Sequence, residues 1–289
     1  MSGSGSARPL ISGGAVLGGI AGRPVAHSLS PVIHNAWISA VGLDAVYAPF
    51  APADAEGFAL LVAVGRAGLI QGLNVTAPFK AQAFALADTA SDTARASGSA
   101  NVLVFDDGGL HADSTDGFGM MWAIARQAPG VSVVGRPVVI LGAGGAARAA
   151  AGTLVAEGAQ VRIVNRSRDR AEALARELGP SVVVAEPGSA FDDAVLVVNA
   201  LSVQPDVDVA RLATDTAVMD MTYRPVDTPF LIAARARGLA TIDGLAMLIG
   251  QAGPSFEAIF RTPAPDLNVR PLLLAAMAAQ DSQGKGQGV

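Results

Sequence analysis

The sequence predicts an α/β protein of two units: an N-terminal α/β unit, then a second unit built as a doubly wound parallel sheet. Three observations carry this. Short apolar runs alternate with segments of helical periodicity along most of the chain, the pattern left by βαβ units. An apolar strand, Val138–Leu141, runs straight into Gly142-Ala143-Gly144-Gly145 and a long alanine-rich helix. Hydrophobic residues make up 51% of the 289 positions and charged residues 16%, enough for packed cores and too little charge for a disordered chain.

Taken in order, residues 1–13 are Ser/Gly-rich and read as a flexible N-terminus. Ala15–Ala21, Ala45–Phe50 and Ile70–Val75 read as strands, with helices at Pro31–Val41 and Glu56–Ala67 between them. Val102–Asp106 and Leu110–Asp113 read as a hairpin around Asp107-Gly108-Gly109. A helix from about Asp116 to Gln127 ends before Pro129-Gly130, and the segment up to Pro137 reads as a domain junction. The second unit continues with strands at Val161–Val164, Val182–Val184, Val195–Val198 and Val218–Asp220 and a helix at Arg168–Leu178. Helices near Gly244–Phe260 and Asn268–Gln280 are expected to return to the first unit, and residues 281–289 read as a tail. The expected organisation is therefore residues 14–116, 117–249 and 250–280.

Composition excludes several classes of function. No apolar run reaches the ~18 residues of a membrane span, and Ala15–Ala21 is too short and glycine-broken for a signal peptide. There is no cysteine, and His27, His34 and His111 lack ligand spacing, so no metal is expected. A net charge of −5 argues against nucleic-acid or anionic-membrane partners. A cytoplasmic protein acting on a small molecule fits; the oligomeric state, a homodimer included, stays open.

The glycine run carries the first chemistry. Gly142 can turn tightly, Gly144 leaves room for a pyrophosphate, and Ala147 lets the helix pack closely on its strand. Ala143, Gly145 and Ala146 complete a loop whose free N–H groups and helix dipole suit phosphate. The end of the next strand selects the nucleotide. NAD sites place an acid there, about 20 residues on, for the ribose hydroxyl. This chain has Asn165-Arg166-Ser167-Arg168-Asp169-Arg170 instead. Guanidinium groups and a hydroxyl suit a 2′-phosphate, so NADP is expected, with Arg168 the one that reads best as a solvated helix start.

Two segments of the first unit invite a ligand. In Ser28-Leu29-Ser30-Pro31, Ser30 can cap a helix opened by proline, or the two hydroxyls can meet a carboxylate. In Asn74-Val75-Thr76-Ala77-Pro78-Phe79-Lys80, a polar strand end is followed by lysine. The chain has eighteen arginines against two lysines, Lys80 and Lys285. A lysine kept in such a background suggests proton transfer, which arginine cannot perform. Its expected partner is Asp116 in Ser114-Thr115-Asp116-Gly117, whose alternative reading is a helix cap.

Together these segments, with Ser99-Ala100-Asn101, Asp220-Met221-Thr222-Tyr223, Gly244-Leu245-Ala246-Met247-Leu248 and Gln251-Ala252, resemble the shikimate dehydrogenase family over nearly the whole chain. The resemblance implies an N-terminal substrate domain, a Rossmann-like NADP domain and reversible reduction of 3-dehydroshikimate to shikimate, a step of aromatic amino-acid biosynthesis. It implies that Ser28, Ser30 and Tyr223 hold the substrate carboxylate, that Thr76, Asn101, Asp116 and Gln251 bind ring hydroxyls, and that Lys80 and Asp116 form the acid–base dyad. Met221 and Gly244 would line the nicotinamide, and Asp92 stands where the family keeps an acid near the cofactor. Two departures stand out: Ser114 where Asn is usual, and Leu201-Ser202-Val203-Gln204 where Thr usually follows Asn199-Ala200. The rival readings are a quinate or aminoshikimate dehydrogenase, a non-catalytic NADP sensor, which should have lost Lys80 or Asp116, and an S-adenosylmethionine enzyme, which wants an acid where Asn165 and Arg166 stand.

Overall fold

The computed structural model describes residues 11–106 and 109–286. Residues 1–10, the expected turn residues Asp107 and Gly108, and residues 287–289 lie outside the described residues. The chain divides into two compact units, Met1–Thr115 with Ala252–Val289, and Asp116–Gln251.

The first unit contains β1 (Val16–Ala21), α1 (Ser30–Val41), β2 (Ala45–Phe50), α2 (Ala55–Arg66), β3 (Gly72–Val75), α3 (Lys80–Leu86), β4 (Thr89–Ala90), α4 (Asp92–Ser97), β5 (Val102–Asp106), β6 (Gly109–Asp113) and α10 (Arg270–Gly286). Its sheet runs β2-β1-β3-β5-β6-β4. β1 is parallel to β2 and β3, while β5 turns back antiparallel on β3 and pairs with β6 as a hairpin. α2 starts where it does because the Asp54 carboxylate accepts from Gly57 N–H at 2.9 Å. Phe58 and Val62 of this helix pack with Leu73, Leu103 and Phe105 of the sheet, and Phe58 stacks on Phe79 with centroids 4.8 Å apart. The sequence reading passed over α3, β4 and α4. They hold 7, 2 and 6 residues, too few to show a hydrophobic period.

The second unit holds α5 (Asp116–Gln127), β7 (Pro137–Leu141), α6 (Gly145–Ala156), β8 (Gln160–Val164), α7 (Arg168–Leu178), β9 (Val182–Val184), β10 (Leu196–Asn199), β11 (Ala217–Asp220), α8 (Pro229–Ala236) and β12 (Thr241–Asp243). All its strands are parallel, in the order β12-β11-β10-β7-β8-β9, a Rossmann-like doubly wound sheet. Val138–Leu141 and Leu196–Asn199 are buried throughout, as strands covered on both faces must be. α9 (Gly244–Phe260) starts in this unit and its last residues belong to the first.

Two expectations need correction. The segment 128–137 is no junction: it lies inside the second unit, where Ala128 and Val133 are buried in the main core. The expected tail begins too early, because α10 runs on to Gly286. Adding residues to an existing helix costs no new nucleation, so polar residues extend it.

Candidate active site

Both sheets have a topological switch point beside their first strand, the place where open α/β sheets bind ligands. In the first unit it falls between β1 and β3, and in the second between β7 and β10.

Beyond β1 and β3, two loops lie against each other. Thr76 N–H donates to Ala21 O at 2.9 Å and Arg23 N–H to Ala77 O at 3.0 Å. Gly22 has no room for a side chain, since a Cβ there would collide with Thr76 Cγ2. The next residues reach Ser28 and Ser30. α1 begins at Ser30 itself; Leu29, in the capping position, has φ −91° and ψ −8°, and no side chain caps the helix. The capping role considered for Ser30 is therefore corrected. Ser30 lies beside the Tyr47 phenol, and Ser28 Oγ accepts from Ser30 N–H at 3.3 Å.

From Tyr47 a run of buried hydrogen bonds crosses neighbouring strands. Tyr47 O–H donates to Asn74 Oδ1 at 2.7 Å, and Asn74 Nδ2 donates to Asn101 O at 3.2 Å. Asn101 Nδ2 donates to Thr115 Oγ1 at 3.0 Å, while Thr115 N–H donates back to Asn101 Oδ1 at 2.8 Å. Burial drives the Tyr47 phenol pKa well above its ordinary range, partly offset by Ser30. His34 stacks on Tyr47, rings 4.1 Å apart and nearly parallel, and its complete burial lowers its pKa from 6.5 to about 3. Lys80 opens α3, half-buried, and its carbonyl accepts from Ala100 N–H at 2.9 Å, next to Asn101. Ser28, Ser30, Thr76, Lys80 and Asn101 thus belong to one sheet edge. Asp92 opens α4 with an exposed carboxylate paired to Arg95 at 2.7 Å.

Asp116 is the first residue of α5 in the second unit and half-buried. Beyond β7, Gly142 adopts φ +116°, a left-handed conformation that favours glycine, and a Cβ there would sit 3.0 Å from Leu201 Cδ2. Ala143 is half-buried, whereas Gly144, Gly145 and Ala146 are exposed. Gly144 is the N-cap of α6, with φ −92°, ψ −171° and no capping side chain, and the first turn carries no acid. Neither φ nor crowding demands glycine there, because a Cβ at Gly144 or Gly145 would meet nothing within 4 Å. The space over a bare helix N-terminus suits phosphate, so the loop fits a dinucleotide.

At the end of β8, Asn165 Nδ2 donates to Ser167 O at 2.8 Å, and the Ser167 hydroxyl makes no capping bond. Arg168 is engaged with Glu172 at 2.9 Å and Glu186 at 2.6 Å. Arg166 and Arg170 are exposed and form no ion pair among the described residues. Met221 and Tyr223 follow β11, half-buried, and burial raises the Tyr223 phenol pKa against the opposing pull of Arg224. Gly244 opens α9, which also carries Gln251, 7% exposed, with Nε2 donating to Leu248 O at 3.0 Å.

Sequence reasoning missed Tyr47, His34 and Asp243, and gave Asn74 and Asp220 no task of their own. One signal was there: the chain has only two tyrosines, Tyr47 inside β2 and Tyr223 just after β11.

Comparison with known proteins follows the same division. The family described as "Shikimate dehydrogenase substrate binding domain" matches residues 20–103, and "Shikimate / quinate 5-dehydrogenase" matches residues 124–203. The shikimate dehydrogenase (NADP(+)) of Caulobacter vibrioides (strain NA1000 / CB15N) is 50% identical over 276 residues, covering 91% of this chain and 96% of its own. A crystal structure of a shikimate dehydrogenase in complex with NADP+ superposes with a TM-score of 0.83 at 31% identity, covering 94% and 97% of the two chains. The shikimate 5-dehydrogenase of Thermus thermophilus, in complex with NADP(H) and shikimate, gives 0.79 at 31% identity over 92% and 99%.

Proposed function

This chain belongs to the shikimate dehydrogenase family, and we propose on that premise that it interconverts 3-dehydroshikimate and shikimate with NADP(H). The carrying observation is that each switch point is equipped for one reactant. The first unit presents hydroxyls, amides and a half-buried lysine along one sheet edge. The second presents a bare helix N-terminus and two arginines without ion pairs among the described residues.

Ser28 and Ser30, with Tyr223, hold the substrate carboxylate; Thr76, Asn101, Asp116 and Gln251 take the ring hydroxyls. In the direction of oxidation, the proton of the C3 hydroxyl passes to the Lys80–Asp116 dyad as the carbon loses hydride and becomes a carbonyl. In reduction the dyad returns that proton to the nascent alkoxide, a contribution of ~10²–10⁴-fold. NADP supplies the hydride acceptor or donor when bound. Gly142, Ala143, Gly144, Gly145 and Ala146 would hold its pyrophosphate, Asn165, Arg166, Ser167 and Arg170 its adenosine 2′-phosphate, and Met221 and Gly244 its nicotinamide, with Asp92 the acid that the family keeps for the cofactor. On the same reading the enzyme works in the cytoplasm in aromatic amino-acid biosynthesis. A homodimer is the assembly to test by light scattering. Among the described residues no helix is long and apolar enough to cross a membrane.

The test is a purified-protein assay with shikimate and quinate against NADP+ and NAD+. Shikimate with NADP+ should give the highest kcat/KM. Arg166→Ala should raise KM for NADP+ roughly tenfold to a hundredfold, the loss of a charge-assisted contact of ~1.5–3 kcal/mol, and leave KM for NAD+ nearly unchanged. Preference for quinate would reassign the substrate, and equal loss with both cofactors would remove the 2′-phosphate assignment.

A further inference from the structure

Three buried side chains stand in register across the ends of neighbouring strands: Asn199 on β10, Asp220 on β11 and Asp243 on β12. Their exposures are 1%, 2% and 8%. Each turns an oxygen onto a backbone N–H just beyond its own strand: Leu201 at 3.2 Å, Thr222 at 3.0 Å and Ala246 at 2.8 Å. The row therefore shapes two loops and the start of α9, all leaving the sheet at one edge.

Both carboxylates of the row commit a second oxygen: Asp243 Oδ2 accepts from Gln127 Nε2 of α5 at 2.8 Å, whereas that of Asp220 turns back on its own loop. Asp220 Oδ2 accepts from Thr228 Oγ1 at 2.8 Å, and Thr228, 5% exposed, caps α8 by accepting from Leu231 N–H at 3.3 Å. One carboxylate thus ties both ends of the segment 222–228. Burying a carboxylate is costly. An asparagine would present one acceptor oxygen where two donors must be met, whereas aspartate presents two. Met221, between Asp220 and Thr222, is held on further sides: its N–H donates to Asn199 O at 3.0 Å, and its carbonyl lies where a Cβ on Gly244 would collide.

We propose that Asp220 is a positioning residue for hydride transfer, fixing the Met221–Tyr223 segment through its bonds to Thr222 and Thr228. This rests on the reading that Met221 and Gly244 face the nicotinamide. A loosened segment would let the ring drift from the reacting carbon, and hydride transfer is steep in that distance: a displacement near 1 Å can cost ~10²-fold.

The test compares wild type with Asp220→Asn, Thr228→Val and Thr228→Ser. It measures kcat, both KM values, the isotope effect with shikimate deuterated at the reacting carbon, the NADP+ dissociation constant by quenching of protein fluorescence, and Tm. Asp220→Asn and Thr228→Val should lower kcat roughly tenfold to a hundredfold and raise the isotope effect, with NADP+ dissociation changed less than about threefold. Thr228→Ser, which keeps the hydroxyl, should restore both kinetic values. A fall in Tm with kcat and isotope effect unmoved would make Asp220 a purely structural residue and overturn the proposal. Wild-type protein that binds NADP+ but leaves shikimate untouched would instead remove the proposed function, and this inference with it.

Discussion

The two sheet edges solve the same topological problem with different materials. Beyond β1 and β3 the chain lays down side chains: Tyr47, Asn74, Asn101 and Thr115 form buried hydrogen bonds whose every member has a specific shape, and Ser28 accepts from Ser30 N–H beside them. Beyond β7 it lays down backbone, a left-handed Gly142 and an uncapped helix N-terminus with open space above it. Side-chain recognition suits a small ring with several distinct hydroxyls, because each hydroxyl can be matched and its absence penalised. Backbone N–H groups and a helix dipole suit a phosphate, whose oxygens are alike and whose charge is what matters. An edge made of side chains should therefore be fragile to conservative substitution, and an edge made of backbone should be fragile to added bulk.

The sharpest way to break this contrast is Lys80→Arg. The charge is kept and the ability to release a proton is lost. Turnover should fall by roughly 10²-fold or more, with little change in shikimate KM or NADP+ dissociation. Asp116→Asn should be comparably damaging and the double variant far less than additive, as for residues acting as a unit. Near-normal turnover in the arginine variant would reduce Lys80 to an electrostatic contact.

A pair of glycine substitutions sharpens the contrast. Gly22→Ala drives a methyl into Thr76 Cγ2, so the first unit should lose ~1–3 kcal/mol of unfolding free energy, the usual range for overpacking. Gly144→Ala meets no protein atom, so Tm should hold while NADP+ binding weakens about tenfold or more through its clash with the pyrophosphate. Unchanged NADP+ affinity in Gly144→Ala would remove the pyrophosphate from this loop.

The smallest effect is on pH dependence. Burial lowers the folded-state pKa of His34 from 6.5 to about 3. The unfolded chain therefore binds this proton and the folded chain does not across the window from about 6.5 down to about 3. Stability is full above 6.5 and falls with pH inside that window, by ~1.4 kcal/mol per unit. Trp37 lies in the first unit and Trp122 in the second, and these are the only tryptophans. Urea unfolding followed by Trp37 fluorescence in a Trp122→Phe background should show this slope between pH 6 and pH 5. His34→Phe, which keeps the ring stacked on Tyr47, should flatten it. Equal slopes in both proteins would show that His34 takes up its proton in the folded state.

By itself the sequence determined the α/β class, the strand running into the glycine loop, and the arginines at the end of β8. These are local: four consecutive apolar residues, a glycine run and a helix start lie within one βαβ unit, so spacing alone declares them. It also singled out Lys80 through the scarcity of lysine. Tertiary structure decided what depended on residues far apart in the chain. Ser30 could be a cap or a ligand until α1 was seen to begin at Ser30 itself, with no side chain capping it. Asn74 and Asn101, 27 positions apart, become neighbours only when β3 and β5 pair. Asp220 ended an ordinary strand until Thr228 closed the loop around it. Short-range periodicity reports which face of an element is buried. It does not report which buried polar group meets which, because that pairing is fixed by the register of strands that lie far apart in the chain.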